Sequence, residues 1–279
     1  MKYLMTLTIG LLTALFLQAQ VVAPALSPRS TISQKIGLSK MEIDYSRPSV
    51  RGRKVMGENG LIPYGELWRT GANVVTKLTF GDAIQINNQD LAKGSYAVLS
   101  TLEAETWTLH FYPYEKQSWS KFKAKTPILS ITAERQVTAA LVETFYIGYE
   151  NIQLDKANLV LSWENTRIEI PVVASAKEKM LKSIQKTMAG PSNNDYFQAA
   201  LYLHEANINL EEALGYIQKV TQSEKALFFQ VYREALILRD LNRREEALKA
   251  AKRSKVLAQK AKNMDFVRLN DKLIEALQE

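Results

Sequence analysis

The chain contains no cysteine and only two histidines. The first absence removes disulfides, thiolate nucleophiles and cysteine-ligated metals together. It also removes a lipoprotein anchor, which needs a cysteine at its cleavage site. Metal-binding spacings are missing as well: no His-x-x-x-His pair and no glutamate-rich ligand motif occurs. There is no Gly-x-Ser-x-Gly elbow and no Gly-x-x-x-x-Gly-Lys phosphate loop. His110 and His204 fall in stretches of different pattern, so they are not expected to act together. A Ser-His-Asp set assembled in space around His110 stays open. A histidine on a sheet surface is the plainer reading. No cofactor, metal or catalytic residue is expected.

Concentrated charge is lacking too. The net charge is +7, but residues 21–175 hold 17 basic and 15 acidic side chains, and residues 176–279 hold 18 and 14. Lys and Arg alternate with Glu and Asp, as on a solvated surface. A nucleic-acid binder gathers its basic charge on one face, so nucleic acid is not an expected partner. Hydrophobic content of 46% and charged content of 23% describe an ordinary globular chain.

Long apolar runs are confined to the N-terminus. Lys2 precedes a run from Leu4 to Leu17 broken only by threonines and Gly10, and Ala19 follows. This order of charge, apolar core and small residue predicts a signal peptide over residues 1–19. A membrane span needs about 20 apolar residues, and this run is shorter. The mature chain is therefore expected to be periplasmic or extracellular, without a span.

The remainder divides by period. From about Thr31 to Val173, short alternating runs follow one another with turn signals between them. Val75–Phe80, Ala83–Asn87, Tyr96–Leu99, Trp107–Phe111, Ile128–Thr132, Thr144–Tyr149, Asn158–Trp163 and Arg167–Pro171 read as strands. Asn87–Asp90 and Lys93-Gly94 read as turns, and Glu164–Thr166 as a link. Such spacing predicts an antiparallel β-sandwich or barrel-like domain over residues 27–174. From Ser175 the period becomes helical, and glycine and proline all but vanish, apart from Gly190, Pro191 and Gly215. Leu227, Phe228, Val231, Tyr232, Ala235 and Leu238 form one stripe. Glu211-Glu212-Ala213-Leu214 recurs 34 residues later as Glu245-Glu246-Ala247-Leu248, the period of a tetratricopeptide repeat. The fold class expected is thus α+β multidomain: the β domain, then an all-α tetratricopeptide-like domain over residues 176–279.

One segment carries unusual side-chain density. Between Glu42 and Asn73 lie Asp44-Tyr45-Ser46-Arg47-Pro48, Arg51-Gly52-Arg53, Pro63-Tyr64-Gly65 and Trp68-Arg69-Thr70-Gly71-Ala72-Asn73. It reads as a loop-rich stretch whose prolines and glycines fix the backbone. Arginine offers a planar fork for carboxylates or phosphates, and Trp and Tyr offer flat faces for rings. Asp44, Tyr45, Arg47, Arg53, Trp68, Arg69, Thr70 and Asn73 are the candidate ligand-binding residues. The competing reading is an internal brace, with Arg47 or Arg69 bonded to neighbouring carboxylates or carbonyls and Gly71 serving a left-handed turn. Trp119 is a second aromatic candidate, or else a loop anchor.

These same motifs, with Gln34-Lys35-Ile36-Gly37, Gly94-Ser95-Tyr96, Trp107-Thr108, Val142-Glu143-Thr144-Phe145 and Thr166-Arg167, resemble the uncharacterised exported family known as domain of unknown function 2911. The resemblance covers roughly Ser27 to Val173. It implies a secreted or periplasmic β-rich domain and no established activity, with a helical tail in some members. The expected function is an exported binding or adaptor protein. Its β domain would hold a small polar or glycan-like ligand, and its helical tail would hold a protein partner. A hydrolase using Asp44 and Glu66, and a purely structural envelope protein, are the alternatives.

Overall fold

Strand β2 (Ser39–Ser46) buries Ser39, Met41, Ile43 and Tyr45 on one face and turns Lys40, Glu42 and Asp44 to the other. That two-residue period fixes which face meets the core. The segment Glu42–Ser46, expected within a loop-rich stretch, is therefore strand. Its polar residues mark the outward face of a half-buried strand.

A computed structural model describes residues 23–174, 176–188 and 190–279. The expected signal peptide, residues 1–19, lies outside the described residues. The described chain forms two units. One comprises the strands and loops up to Gln34, Lys40–Glu150 and Asn158–Val172. The other comprises Lys35–Ser39, Asn151–Ala157 and Val173–Glu279.

The β unit contains two sheets. The first joins β1 (Arg29–Ile36), β2, β4 (Thr76–Phe80), β7 (Gly94–Leu102), β8 (Thr106–Pro113) and β9 (Leu129–Glu134) in that order, with β3 (Leu67–Trp68) paired to β7. The second has the order β10 (Gln136–Glu150), β11 (Lys156–Ala174), β5 (Ile84–Ile86) and β6 (Gln89–Leu91). The pairs β2–β4, β4–β7, β7–β8, β8–β9 and β10–β11 are antiparallel. Their inner faces meet through large side chains. Tyr45 on β2 packs edge-on against Phe145 on β10 at 5.9 Å. Trp68 sits between Trp107 of the first sheet and Trp163 of the second, at 6.1 and 5.6 Å. Trp107, Trp163, Tyr45 and Phe145 are fully buried.

The turn expected at Asn87–Asp90 is a two-residue hairpin, with φ of 48° at Asn87 and 62° at Asn88. Asparagine tolerates that left-handed geometry. Asn158–Trp163 and Arg167–Pro171, expected as two linked strands, form one continuous β11. The link is a bulge: Glu164 has φ of 56° and faces Val142, and the pairing register slips on both sides of Val142.

The helical unit holds α1 (Lys177–Thr187), α2 (Asn193–Glu205), α3 (Leu210–Thr221), α4 (Phe228–Asp240), α5 (Arg244–Lys260) and α6 (Met264–Ala276). A capping box between Ser192 and Asp195 starts α2. Glu211 and Glu212 open α3 as Glu245 and Glu246 open α5, placing negative charge at the positive end of each helix dipole. The repeated positions are buried alike: Ala213 with Ala247, and Leu203 with Ile237, are all at 0% exposure. No described helix is long and apolar enough to cross a membrane.

Candidate ligand-binding site

Between β2 and β4 the chain leaves the first sheet and returns, pairing with it through β3 and bonding to β7 through the Gly65 N–H and the Thr70 hydroxyl. This excursion carries Pro48–Asn73, and its backbone is held at close quarters. Gly71 has φ of 150°, and a Cβ there would stand 3.0 Å from the Ser46 carbonyl oxygen and 3.2 Å from Thr76 Oγ1. Thr70 and Asn73 adopt φ of 53° and 59°. The Trp68 indole N–H donates to the Gly71 carbonyl at 3.0 Å, closing the Trp68–Gly71 turn on itself.

The eight candidates separate into two groups. Four have their polar atoms engaged within the β unit and do not line the cavity described below. Asp44 accepts two bonds from the Arg29 guanidinium, at 2.6 and 2.5 Å. That pairing holds its carboxyl below the usual carboxylate range. The Tyr45 hydroxyl donates to the Ile147 carbonyl at 3.2 Å and accepts the Ile147 N–H at 3.0 Å, and burial pushes its pKa up. Arg47 Nε–H donates to the Phe145 carbonyl at 3.0 Å. Thr70 is fully buried and donates to Ser100 Oγ at 3.0 Å. The partner of Asp44 is Arg29, rather than Arg47 or Arg69.

The other four, Arg53, Trp68, Arg69 and Asn73, line a hollow of about 600 Å³. The N-terminal stretch Ala25–Ser27 forms one wall, and Pro48, Ser49, Arg51, Leu61, Ile62, Gly71, Ala72 and Trp163 complete the lining. Arg51 donates to the Leu26 carbonyl at 2.6 Å, and Asn73 to the Ser27 carbonyl at 3.2 Å, so these two side chains strap the wall in place. Arg53 donates to the carbonyls of Ser49 and Val50, at 2.6 and 3.0 Å. Arg69 differs from the other arginines here. Its Nε is covered from solvent and has no acceptor, and among the described residues its side chain makes no hydrogen bond or ion pair. It lies over the Trp119 ring at 5.5 Å, and burial lowers its pKa below the ordinary arginine value. Trp119, half-buried and also under Lys123 at 4.9 Å, packs on the satellite cluster around Phe122.

The lining contributed by Ala25–Ser27, Arg51 and Trp163 was not among the expected site residues. Pro24 and Pro28 mark the first of these as extended chain, but nothing in the sequence tells where it docks. His110 stands between Thr101 Oγ1 at 3.1 Å and Ser130 Oγ at 2.9 Å, with no carboxylate among its hydrogen-bond partners. Burial lowers its pKa and favours the neutral ring. Among the described residues no group of three or more His, Asp or Glu side chains is placed to hold a metal ion.

A family model described as a protein of unknown function (DUF2911) matches residues 27–172. No curated protein and no solved structure matches the chain. The matched span is more than half of the sequence and contains all eight candidate residues, so the chain belongs to the DUF2911 family.

Proposed function

We propose that this is an exported binding protein whose β unit holds a small polar ligand in the hollow beside Arg69. One observation carries the reading: a guanidinium with a buried, acceptor-less Nε borders a cavity large enough for a ligand. A buried N–H donor left without an acceptor is costly to a fold that has no use for it. The N-terminal apolar run supports export. The paired helical hairpins, with buried alanines 34 residues apart, support a tetratricopeptide-like array that holds a protein partner.

Internal bracing accounts for Tyr45, Arg47 and Thr70, but not for Arg69. A hydrolase built on Asp44 is disfavoured, because its pairing with Arg29 keeps that carboxyl ionised rather than poised as an acid. A thermal-shift screen of the full chain against sugars, peptides and organic acids tests the binding reading. At least one compound should raise Tm in the wild type and not in Arg69→Gln. A screen with no such compound overturns it.

A further inference from the structure

The electrostatics of the hollow narrow the chemistry of its ligand. Arg51, Arg53 and Arg69 all line it, and among the described residues no carboxylate does. Arg51 and Arg53 are bonded to main-chain carbonyls. A carbonyl satisfies an N–H donor but leaves the charge of the guanidinium in place. Two acids lie close by: Glu143 Oε1 accepts the Arg51 backbone N–H at 2.9 Å, and Glu164 Oε1 accepts the Val55 N–H, two residues from Arg53, at 3.4 Å. Setting these carboxylates against Arg51 and Arg53 still leaves Arg69 without a carboxylate partner among the described residues. Arg69 also lies over the Trp119 ring at 5.5 Å, a cation–π contact that brings no counter-charge.

The aromatic side of the hollow argues against a neutral sugar. One face of the Trp68 indole is stacked on Trp163, with the rings 18° from parallel. Phe145 packs against it edge-on at 5.1 Å, and Trp107 lies at 6.1 Å. The indole N–H is already donated to Gly71. Trp68 is thus embedded among its neighbours, whereas stacking a sugar ring requires a free aromatic face. The guanidiniums remain as the groups able to select a ligand.

We infer that the hollow takes a small anionic ligand presenting carboxylate or phosphate oxygens, and that Arg69 is the residue that pairs with it. This rests on the binding reading above. A planar guanidinium fork meets two oxygens of either group, so the two sources are separated by the probes.

The test titrates the full chain at low salt, by calorimetry, with citrate, inorganic phosphate and galactose in separate arms. Citrate or phosphate should bind at one site, and binding should weaken as salt is raised. Arg69→Gln should weaken it by about tenfold or more, the value of a charge-assisted hydrogen bond. Arg69→Lys, which keeps the charge and loses the fork, should fall between the two. Arg29→Gln, outside the hollow, should leave it unchanged. Binding of citrate alone assigns a polycarboxylate, and of phosphate alone a phosphoryl group; both outcomes support the inference. Galactose binding without either anion overturns the anion inference and leaves the binding reading standing. Silence in all three arms overturns both. Anion binding that survives in Arg69→Gln and Arg69→Lys unchanged overturns the assignment to Arg69.

Discussion

Arg47 donates its Nε–H to the Phe145 carbonyl at 3.0 Å, whereas the Nε of Arg69 is buried and donates to nothing. The same side chain thus serves as a brace in one place and stands without an acceptor in the other. Tyr45 is the strongest brace, because one hydroxyl answers both the N–H and the carbonyl of Ile147 across the sandwich. Tyr45→Phe keeps the ring and strands both backbone groups. Urea unfolding should show a loss of about 1–3 kcal/mol, as for a buried polar group left unsatisfied. The Asp44–Arg29 pair gives a pH-dependent contribution. The folded pKa of Asp44 is depressed, so the stabilisation is complete above the unfolded value of about 3.9 and is lost as pH falls through the folded one. Arg29 is 63% exposed, so solvent screens the pair and its worth is at most about 1 kcal/mol. Arg29→Gln should accordingly lower Tm slightly at neutral pH and not at all once Asp44 is protonated. Equal loss at both ends of a pH series contradicts this.

At the scale of elements, the repeat makes the sharpest prediction. Ala213 and Ala247 are wholly buried near the starts of α3 and α5, within the apolar core of the helical unit. Ala247→Leu should overpack that core and cost about 1–3 kcal/mol, read from loss of helical signal in urea. A variant as stable as the wild type would show the helices to be further apart. Much of this level was readable in the sequence. Short alternating or β-branched and aromatic runs between turn signals located β4, β5, β7 and β8, and the 34-residue recurrence located equivalent helices. β2 was masked because its outward face carries Glu42 and Asp44, which read as loop polarity when the buried alternate positions are not followed. The break expected in β11 was masked for another reason. Glu164 adopts a positive φ that the strand absorbs as a bulge, and no local signal separates that from a turn. The site was readable only as a density of side chains. Which of them brace and which face a cavity depends on contacts across long stretches of chain, such as Arg47 with Phe145 and Arg51 with Leu26.

For the molecule as a whole, the formal charge of +7 says little, since both halves mix signs throughout. The informative quantity is local: three guanidiniums around one hollow, with no acid among its described lining residues. A fold keeps such an arrangement at a cost in stability when function requires it, and relief of that cost follows its removal. The most direct measurement is therefore the melting temperature of Arg69→Met against the wild type, in dilute Tris buffer free of carboxylates and phosphate. Met keeps an apolar stem against Trp119 and deletes the half-buried charge with its unpaired Nε. An anion site predicts that the variant melts at the same temperature or higher. A fall of about 4 °C or more, on the order of 1–2 kcal/mol for a chain of this size, would show Arg69 to be a structural brace and contradict the proposal.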